Sequence, residues 1–415
     1  MPARVVLGVG AGIAAYKSCE LLRLLTESGY RVRVVPTPDA LRFVGEATWA
    51  ALSGEPVTTD AWTGVWKVPH VRLGQSADLV LVAPATADLI ARAAAGMAGD
   101  LLTATLLTAR CPVLYAPAMH TEMWEHPATQ ANVSLLRSRG AIVLEPAVGR
   151  LTGADTGAGR LPEPAEIFAV ATRLLAGGHP HQQDLAGRRV VISAGGTREE
   201  IDPVRFIGNW STGGQGYALA RTAVARGAEV TVVAANVTLP DPAGAKVTRV
   251  VSARDMQDAV NAAAGQGGGA DAVVMAAAVA DYRPAARSEA KLKKDGHPPE
   301  PLRLTENPDI LAGLAALRAA TVGGTGGTGR TAARRQVLVG FAAETDTSAE
   351  AARAKLARKG CDLLVVNPVG NGLGFGTADN EAVVFGADGT VTTIPRGPKE
   401  ALADVVWDLV AARLA

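Results

Sequence analysis

The stretch Arg4-Val5-Val6-Leu7-Gly8-Val9-Gly10-Ala11-Gly12-Ile13 decides the fold of this chain. Arg4–Val9 is a short apolar run of the length of a buried strand. Glycines at 8, 10 and 12 supply a tight turn, and apolar residues then recur at helical spacing from Ile13 to Glu27. A strand, a glycine turn and a helix are how a doubly wound parallel sheet begins. The opening recurs downstream. Arg189–Ser193 is a second apolar run, followed by Ala194-Gly195-Gly196-Thr197. The chain is therefore expected to be α/β, with two doubly wound, Rossmann-like domains.

Further runs fit that reading. Arg31–Val35, Leu79–Ala83, Val113–Ala116 and Ala141–Leu144 read as buried parallel strands, with helices at Thr86–Ala95 and Thr129–Ser138 between them. In the second half, strands are expected at Glu229–Ala234, Ala272–Ala276, Gln336–Gly340 and Asp362–Val366. Ala176–Asp184 has linker composition. The expected organisation is a first domain over 1–178, a linker over 179–187 and a second domain over 188–415. Gly323–Gly329 is a glycine and threonine tract, expected to be a surface loop.

The chain has 415 residues, enough for two or three domains at about 150 residues each. Lys and Arg number 41 against 40 Asp and Glu, so there is no basic excess to hold nucleic acid. Aromatics are 4% of the chain, too few for base-stacking platforms. Cys19, Cys111 and Cys361 are scattered, which fits a reducing compartment and neither a disulfide framework nor a zinc ribbon. No apolar stretch approaches the length of a membrane span, and the first residues carry no signal-peptide pattern. A cytoplasmic location is expected.

The first glycine turn binds phosphate in principle, because it brings backbone close to a helix N-terminus. The dinucleotide fingerprint would place glycines at 8, 10 and 13, but position 13 is Ile. No acidic residue ends the second strand, where Pro36-Thr37-Pro38 follows. A mononucleotide such as FMN fits better than NAD.

Other segments carry a more specific signal. They are PHVRLGQSAD (69–78), APATADLIARAAAGMAGDLL (83–102) and APAMHTEMW (116–124). With them the first half resembles the flavin-dependent cysteine decarboxylases. Five more segments follow in order: SAGGTREEIDPVRFIGNWSTGGQG (193–216), AAAVADYRP (276–284), KLKK (291–294), ENPDIL (306–311) and GFAAET (340–345). Over nearly its whole length the chain resembles the bifunctional phosphopantothenoylcysteine decarboxylase/phosphopantothenate–cysteine ligase family of coenzyme A biosynthesis. The resemblance implies a flavodoxin-like decarboxylase half and a CTP-dependent ligase half. It implies a trimeric arrangement through the first and a dimeric one through the second, with small-molecule substrates and neither nucleic acid nor membrane as partner.

The implied chemistry has a physical logic. An α-carboxylate leaves no stabilised carbanion when CO2 departs. Oxidation of the cysteine thiol to a thioaldehyde places the carboxylate β to a C=S group, and loss of CO2 then sends electrons to sulfur. The resemblance gives His70 the part of base at the thiol, a task suited to neutral imidazole. It implies flavin contacts at Gly10, Gly12, Ile13, Thr37, Ala83, Pro84, Ala85, Thr86 and Asp88. Thr86 and Asp88 also suit the start of a helix. Met119 and Met123 would lie at the substrate.

The chain departs from the family pattern twice. His120 stands where an Asn holds the substrate carboxylate, and His can still donate a hydrogen bond there. Gly153, in Leu151–Leu161, stands where a flap cysteine donates a proton to the ene-thiol. Asp155 is the nearest acid that could replace it, and a turn-forming Asp is the plainer reading. This departure opens two alternatives: a decarboxylase half that stops at the enethiol beside an active ligase, or a flavin-binding regulatory protein.

In the ligase half, a carboxylate must be activated before an amine attacks. The resemblance implies CTP and an acyl-cytidylate, with Mg2+ held mainly by the triphosphate. Asn209 would stabilise the acyl-cytidylate. Ala276, Ala277, Asp281, Lys291, Asn307, Pro308, Asp309, Ile310 and Phe341 would contact substrate or CTP. Lys355 and Lys359 lie four apart on an expected helix, so both can face one polyphosphate.

Overall fold

A computed structural model describes residues 2–57, 59, 68–150, 156–176, 183–265, 269–293, 301–322, 336–344, 348–369 and 379–415. The chain divides into two compact units, Met1–Gln182 and Gln183–Ala415.

The first unit runs β1 (Arg4–Val9), a 3-10 turn (Ile13–Tyr16), α1 (Lys17–Glu27), β2 (Arg31–Pro36), α2 (Glu46–Ser53), α3 (Pro69–Ser76) and β3 (Leu79–Ala85). It continues with α4 (Ala87–Ala94), α5 (Leu101–Thr108), β4 (Val113–Pro117), α6 (Thr121–Glu125), α7 (Pro127–Ser138) and β5 (Ile142–Val143). A hairpin of β6 (Ala147–Arg150) and β7 (Thr156–Arg160) precedes α8 (Pro164–Leu175). The sheet order is β2-β1-β3-β4-β5, all parallel.

Both faces of this sheet are buried, as strand alternation dictates. Val5, Leu7 and Val9 pack with Leu21, Leu22 and Leu25 of α1 and Ile167 of α8. Val6, Val80 and Val82 pack on the opposite face with Leu89, Ile90 and Leu102. Gly8 belongs to that second face, and a Cβ there would lie 2.4 Å from Leu102 Cδ1. The helix expected from Ile13 opens instead as a 3-10 turn, because Gly12 is still extended as the chain leaves β1. The strand expected at Ala141–Leu144 shrinks to Ile142–Val143 at the sheet edge.

The second unit runs β8 (Arg189–Gly195), a hairpin of β9 (Arg198–Glu200) and β10 (Phe206–Gly208), α9 (Gly214–Ala225), β11 (Glu229–Ala235), β12 (Ala245–Val250), α10 (Ala253–Gly265) and β13 (Ala272–Met275). A second small pair, β14 (Tyr282–Pro284) and β15 (Leu304–Glu306), leads into α11 (Ile310–Val322). Then come β16 (Val337–Glu344), α12 (Ala349–Lys359), β17 (Leu363–Pro368), β18 (Asp379–Gly386), β19 (Val391–Pro398) and α13 (Lys399–Leu414). The sheet order is β12-β11-β8-β13-β16-β17-β18-β19.

Pairing is parallel from β12 to β17 and antiparallel from β17 through β19. β17 answers the expected run Asp362–Val366, whereas β18 and β19 were not among the expected strands. The β18–β19 hairpin turns at Asp388-Gly389, and Gly389 takes the left-handed backbone (φ +86) that such a turn requires. β19 is mostly exposed and ends at Pro398, which suits an edge strand.

Of the expected linker, residues 177–182 lie outside the described ones. Leu185 is fully buried in the second unit's core. Asp184 accepts hydrogen bonds from Arg226 at 2.9 and 2.5 Å. The glycine and threonine tract at 323–329 also lies outside the described residues.

Candidate functional sites

In the first unit, the carboxyl ends of β1, β2 and β3 converge. The Gly10 N–H donates to Pro84 O at 3.0 Å, and a Cβ at Gly10 would stand 2.5 Å from that oxygen. Only glycine lets these two turns meet. The Ala83–Pro84 peptide is cis, and the β3–β4 register shifts there, between Val82 and Ala85. Ser18 Oγ donates to Ala83 O at 2.7 Å. The Thr37 N–H donates to Val9 O at 2.8 Å. Thr37 is buried, and its Oγ1 has no hydrogen-bond partner among the described residues.

Gly12 and Ile13 sit at the same turn, and Ile13 is exposed. Thr86 caps α4, its Oγ1 accepting from the Leu89 N–H at 3.3 Å. Asp88 is exposed and pairs with Arg92 at 2.9 Å. Arg92 also holds Asp100 at 2.6 Å, and Asp100 caps α5.

His70 enters from a helix rather than a strand end. It lies in the first turn of α3, where its carbonyl accepts from Thr108 Oγ1 of α5 at 2.8 Å. Its Nδ1 is buried with no partner among the described residues. His120 is exposed and precedes α6, its carbonyl accepting the Met123 and Trp124 N–H groups at 3.0 Å each. Strand β7 presses against this segment. The Met119 N–H donates to Gly159 O at 2.9 Å. A Cβ at Gly159 would lie 2.3 Å from Met119 O, and one at Gly157 would lie 2.3 Å from Thr121 Oγ1. Met123 is exposed. Gly153 and Asp155 lie outside the described residues.

In the second unit, a cavity of about 850 Å³ opens at the carboxyl ends of the parallel strands. Its floor depends on glycine. Gly195 is left-handed (φ +84), and a Cβ there would fall 1.9 Å from Ala235 O. Gly196 lets the Asn209 carbonyl approach to where a Cβ would stand 2.7 Å away. Side chains of this turn hold the Ala276–Asp281 loop. Ser193 Oγ accepts from the Ala277 N–H at 3.1 Å, and Thr197 Oγ1 accepts from the Ala280 N–H at 2.9 Å.

Asn209 lines the cavity and donates from Nδ2 to Val279 O at 3.1 Å, which fixes the plane of its amide. Ala276, Ala277, Asp281, Asn307, Pro308, Asp309, Ile310 and Phe341 line it as well, with Lys355 and Lys359. Asn307 is committed structurally, donating to Ala280 O at 2.8 Å and accepting from Arg283 at 3.1 Å.

The two lysines are already paired. Lys355 meets Glu344 at 2.6 Å, and Lys359 meets Asp309 at 2.5 Å. Burial alone would raise the Asp309 carboxyl. The Lys359 hydrogen bond and the Ala312 N–H more than offset it and hold the group below its ordinary value. Lys291 is exposed and is not among the lining residues. Lys294 lies outside the described residues.

Sequence reasoning passed over part of this wall. Arg358 and Lys399 add positive charge to it, and Gln215, Asn367 and Asn380 add amides. Asn380 Nδ2 donates to Gln215 Oε1 at 3.1 Å, and Gln215 Nε2 donates to Lys399 O at 3.2 Å. Half-burial lowers the Lys399 ammonium pKa. The antiparallel margin brings 379–399 alongside the start of α9, and no spacing signal announces that. Together the cavity offers the N–H groups at the start of α9 and several cations, a setting suited to a polyanion. Among the described residues, no cluster of three or more His, Cys, Asp or Glu is placed to hold a metal ion. Burial raises the Cys19 and Cys111 thiols and pushes Cys361 to about 11, so none is a thiolate at neutral pH. No described helix is long and apolar enough to cross a membrane.

Fold and sites thus define a two-unit α/β protein with glycine turns at the carboxyl ends of parallel strands in both units and a cavity bearing several cations in the second. Residues 2–176 match the Flavoprotein family, and residues 185–414 match the DNA/pantothenate metabolism flavoprotein C-terminal domain. The coenzyme A biosynthesis bifunctional protein CoaBC of Mycobacterium bovis is 56% identical over 100% of this chain and 98% of its own length. The protein of that name from Mycolicibacterium smegmatis is 55% identical over 99% of this chain and 98% of its own. That from Vibrio cholerae is 41% identical over 98% and 97%. The chain belongs to the CoaBC family of bifunctional coenzyme A biosynthesis proteins.

Proposed function

We propose that this chain couples cysteine to 4′-phosphopantothenate at the expense of CTP and then decarboxylates the product to 4′-phosphopantetheine. The observation that carries the ligase reading is the cavity of the second unit. It gathers Asn209, Asp281, Asn307, Asp309, Phe341, Lys355 and Lys359 from distant parts of the chain into one wall.

The ligase step begins when the 4′-phosphopantothenate carboxylate attacks the α-phosphorus of CTP, and pyrophosphate leaves. The cysteine amine then attacks the acyl carbon and CMP leaves. Negative charge on the departing pyrophosphate needs fixed cations. Lys355 and Lys359 supply them by exchanging Glu344 and Asp309 for phosphate oxygens, and Arg358 and Lys399 add to the field. The Gly213 and Gly214 N–H groups at the start of α9, which donate to Ser211 Oγ at 3.3 Å and Thr212 Oγ1 at 3.4 Å, would exchange those hydroxyls for phosphate oxygens. The Asn209 amide, fixed by Val279, is aimed at the acyl-cytidylate during attack by cysteine. Mg2+ enters with the CTP phosphates.

The first unit fits FMN. Support comes from the buried Thr37 hydroxyl, which has no hydrogen-bond partner among the described residues, and from the glycine turn at Gly10, where a Cβ would collide with Pro84 O. Thr37, Gly10, Gly12, Ile13 and the Ala83–Asp88 segment would hold it. Bound FMN supplies the two-electron oxidation of the thiol and the return of those electrons after CO2 has left. His70 removes the thiol proton. His120 donates to the substrate carboxylate. Gly157 and Gly159 let β7 close against Met119 and Thr121, excluding water. Assembly into trimers through the first unit and dimers through the second, which the family resemblance implies, would cover exposed apolar side chains such as Val148 on the first and Trp210 on the second. Incubation with 4′-phosphopantothenate, cysteine and CTP tests this reading, with pyrophosphate and CO2 as separate readouts.

A further inference from the structure

We propose that Asp202 is a positioning residue of the ligase site, fixing the Lys291 segment against the hairpin that delivers Asn209. Asp202 lies in the turn between β9 and β10 and is 1% exposed. Its carboxylate is saturated with donors. Oδ1 accepts the N–H groups of Val204 and Arg205, both at 2.8 Å. Oδ2 accepts Arg205 Nε at 2.9 Å, Arg205 Nη2 at 2.5 Å and the Leu292 N–H at 3.2 Å. The Arg205 pairing, supported by the N–H groups of Val204, Leu292 and Arg205, overcomes burial and holds the carboxyl well below the usual carboxylate range.

A buried carboxylate so provided for is expensive to disturb. Here its donors come from two places. Val204 and Arg205 belong to the hairpin turn, whose outgoing strand β10 runs through Gly208 directly into Asn209. Leu292 immediately follows Lys291. Arg205 closes the join from the other side, with Nη2 donating to Leu292 O at 2.6 Å. The Ser288 N–H donates to Ile201 O at 2.9 Å, and Arg287 pairs with Glu200 at 2.7 Å. The segment 287–292 is thus stitched to 200–205, with one carboxylate at the centre. Lys291 is exposed and does not line the cavity, so its backbone anchor sets where its side chain can reach. This inference rests on the reading that Lys291 serves the CTP reaction.

The test is a double-mutant cycle on CTP-dependent pyrophosphate release by the full chain, using Lys291→Ala, Asp202→Asn and the pair. Each single change should lower kcat/KM for CTP by about tenfold or more. The pair should be no worse than Lys291→Ala by more than about twofold, because Asp202 acts through Lys291. Tryptic cleavage after Lys291 supplies a readout independent of activity, and it should accelerate in Asp202→Asn while the melting temperature of the second unit holds. If Asp202→Asn does not fold, Arg205→Gln removes the guanidinium that joins the Asp202 carboxylate to Leu292 O and should give the same acceleration and the same coupling. Losses that multiply in the pair, with tryptic cleavage unchanged, would overturn the proposal. Unimpaired pyrophosphate release by Lys291→Ala would instead contradict the role given to Lys291, and the functional purpose of the anchor with it.

Discussion

Replacing Thr37 with Val should make the flavin-free protein more stable and its flavin affinity weaker. The two side chains have nearly the same shape. The backbone at Thr37 is extended (φ −66, ψ 155), where a β-branched valine is at ease. Thr37 precedes a 3-10 turn, but its side chain makes no capping bond, so none is lost. What the substitution removes is a buried hydroxyl without a partner among the described residues. Burying such a group costs about 1–3 kcal/mol in protein mutational data. Stability of the flavin-free form should therefore rise by about 1–2 kcal/mol. If the hydroxyl is held ready for the cofactor, binding loses one hydrogen bond, worth about 1.4 kcal/mol or tenfold in Kd. The assay is urea unfolding of flavin-free protein at matched subunit concentration, paired with flavin fluorescence titration. A variant destabilised without flavin and unchanged in affinity would refute the reasoning, because the hydroxyl would then be serving the fold.

Three further outcomes are expected. His70→Asn should retain flavin and lower CO2 release by about 10²–10⁴-fold, the usual worth of a positioned base; normal CO2 release would remove His70 from the chemistry. Asn209→Ala should leave CTP-dependent pyrophosphate release largely intact while slowing capture by cysteine, and equal loss of both would contradict its role. The Asp309–Lys359 pair depresses the Asp309 carboxyl, so its stabilising effect is present above about pH 4 and is lost as pH falls through the lowered folded value. Asp309→Asn should accordingly lower stability at pH 7 by at most about 1 kcal/mol, and the deficit should shrink toward zero on acidification, as urea midpoints at several pH values would show.

The parts of the fold that follow from local pattern were legible. β1 and β8 announce themselves as apolar runs ending in glycine, and Gly10 and Gly195 do occupy turns where a Cβ would collide. The β18–β19 margin was harder, because Val391–Pro398 is mostly exposed and carries no apolar alternation; Asp388-Gly389 was its one local signal. The site shows the same division. Asn209, Asp281 and Asp309 sit in motifs and meet in one cavity. Lys355 and Lys359 are four apart and share a wall, yet their partners Glu344 and Asp309 come from other elements, beyond the reach of spacing. Lys399 and Asn380 join that wall only through the tertiary placement of β18 and α13. Asp202 is legible only as a turn residue, since Leu292, its distant donor, is ninety positions along the chain.

The most direct test of the whole account is the mass of the product formed by the intact chain from 4′-phosphopantothenate, cysteine and CTP with Mg2+ and FMN. The account predicts 4′-phosphopantetheine, with CMP, pyrophosphate and CO2 released and the flavin returned to its oxidised form, even though Gly153 stands where the family carries a cysteine. A product lacking two hydrogens, accumulating beside reduced flavin, would contradict it and show a decarboxylase half that stops at the enethiol.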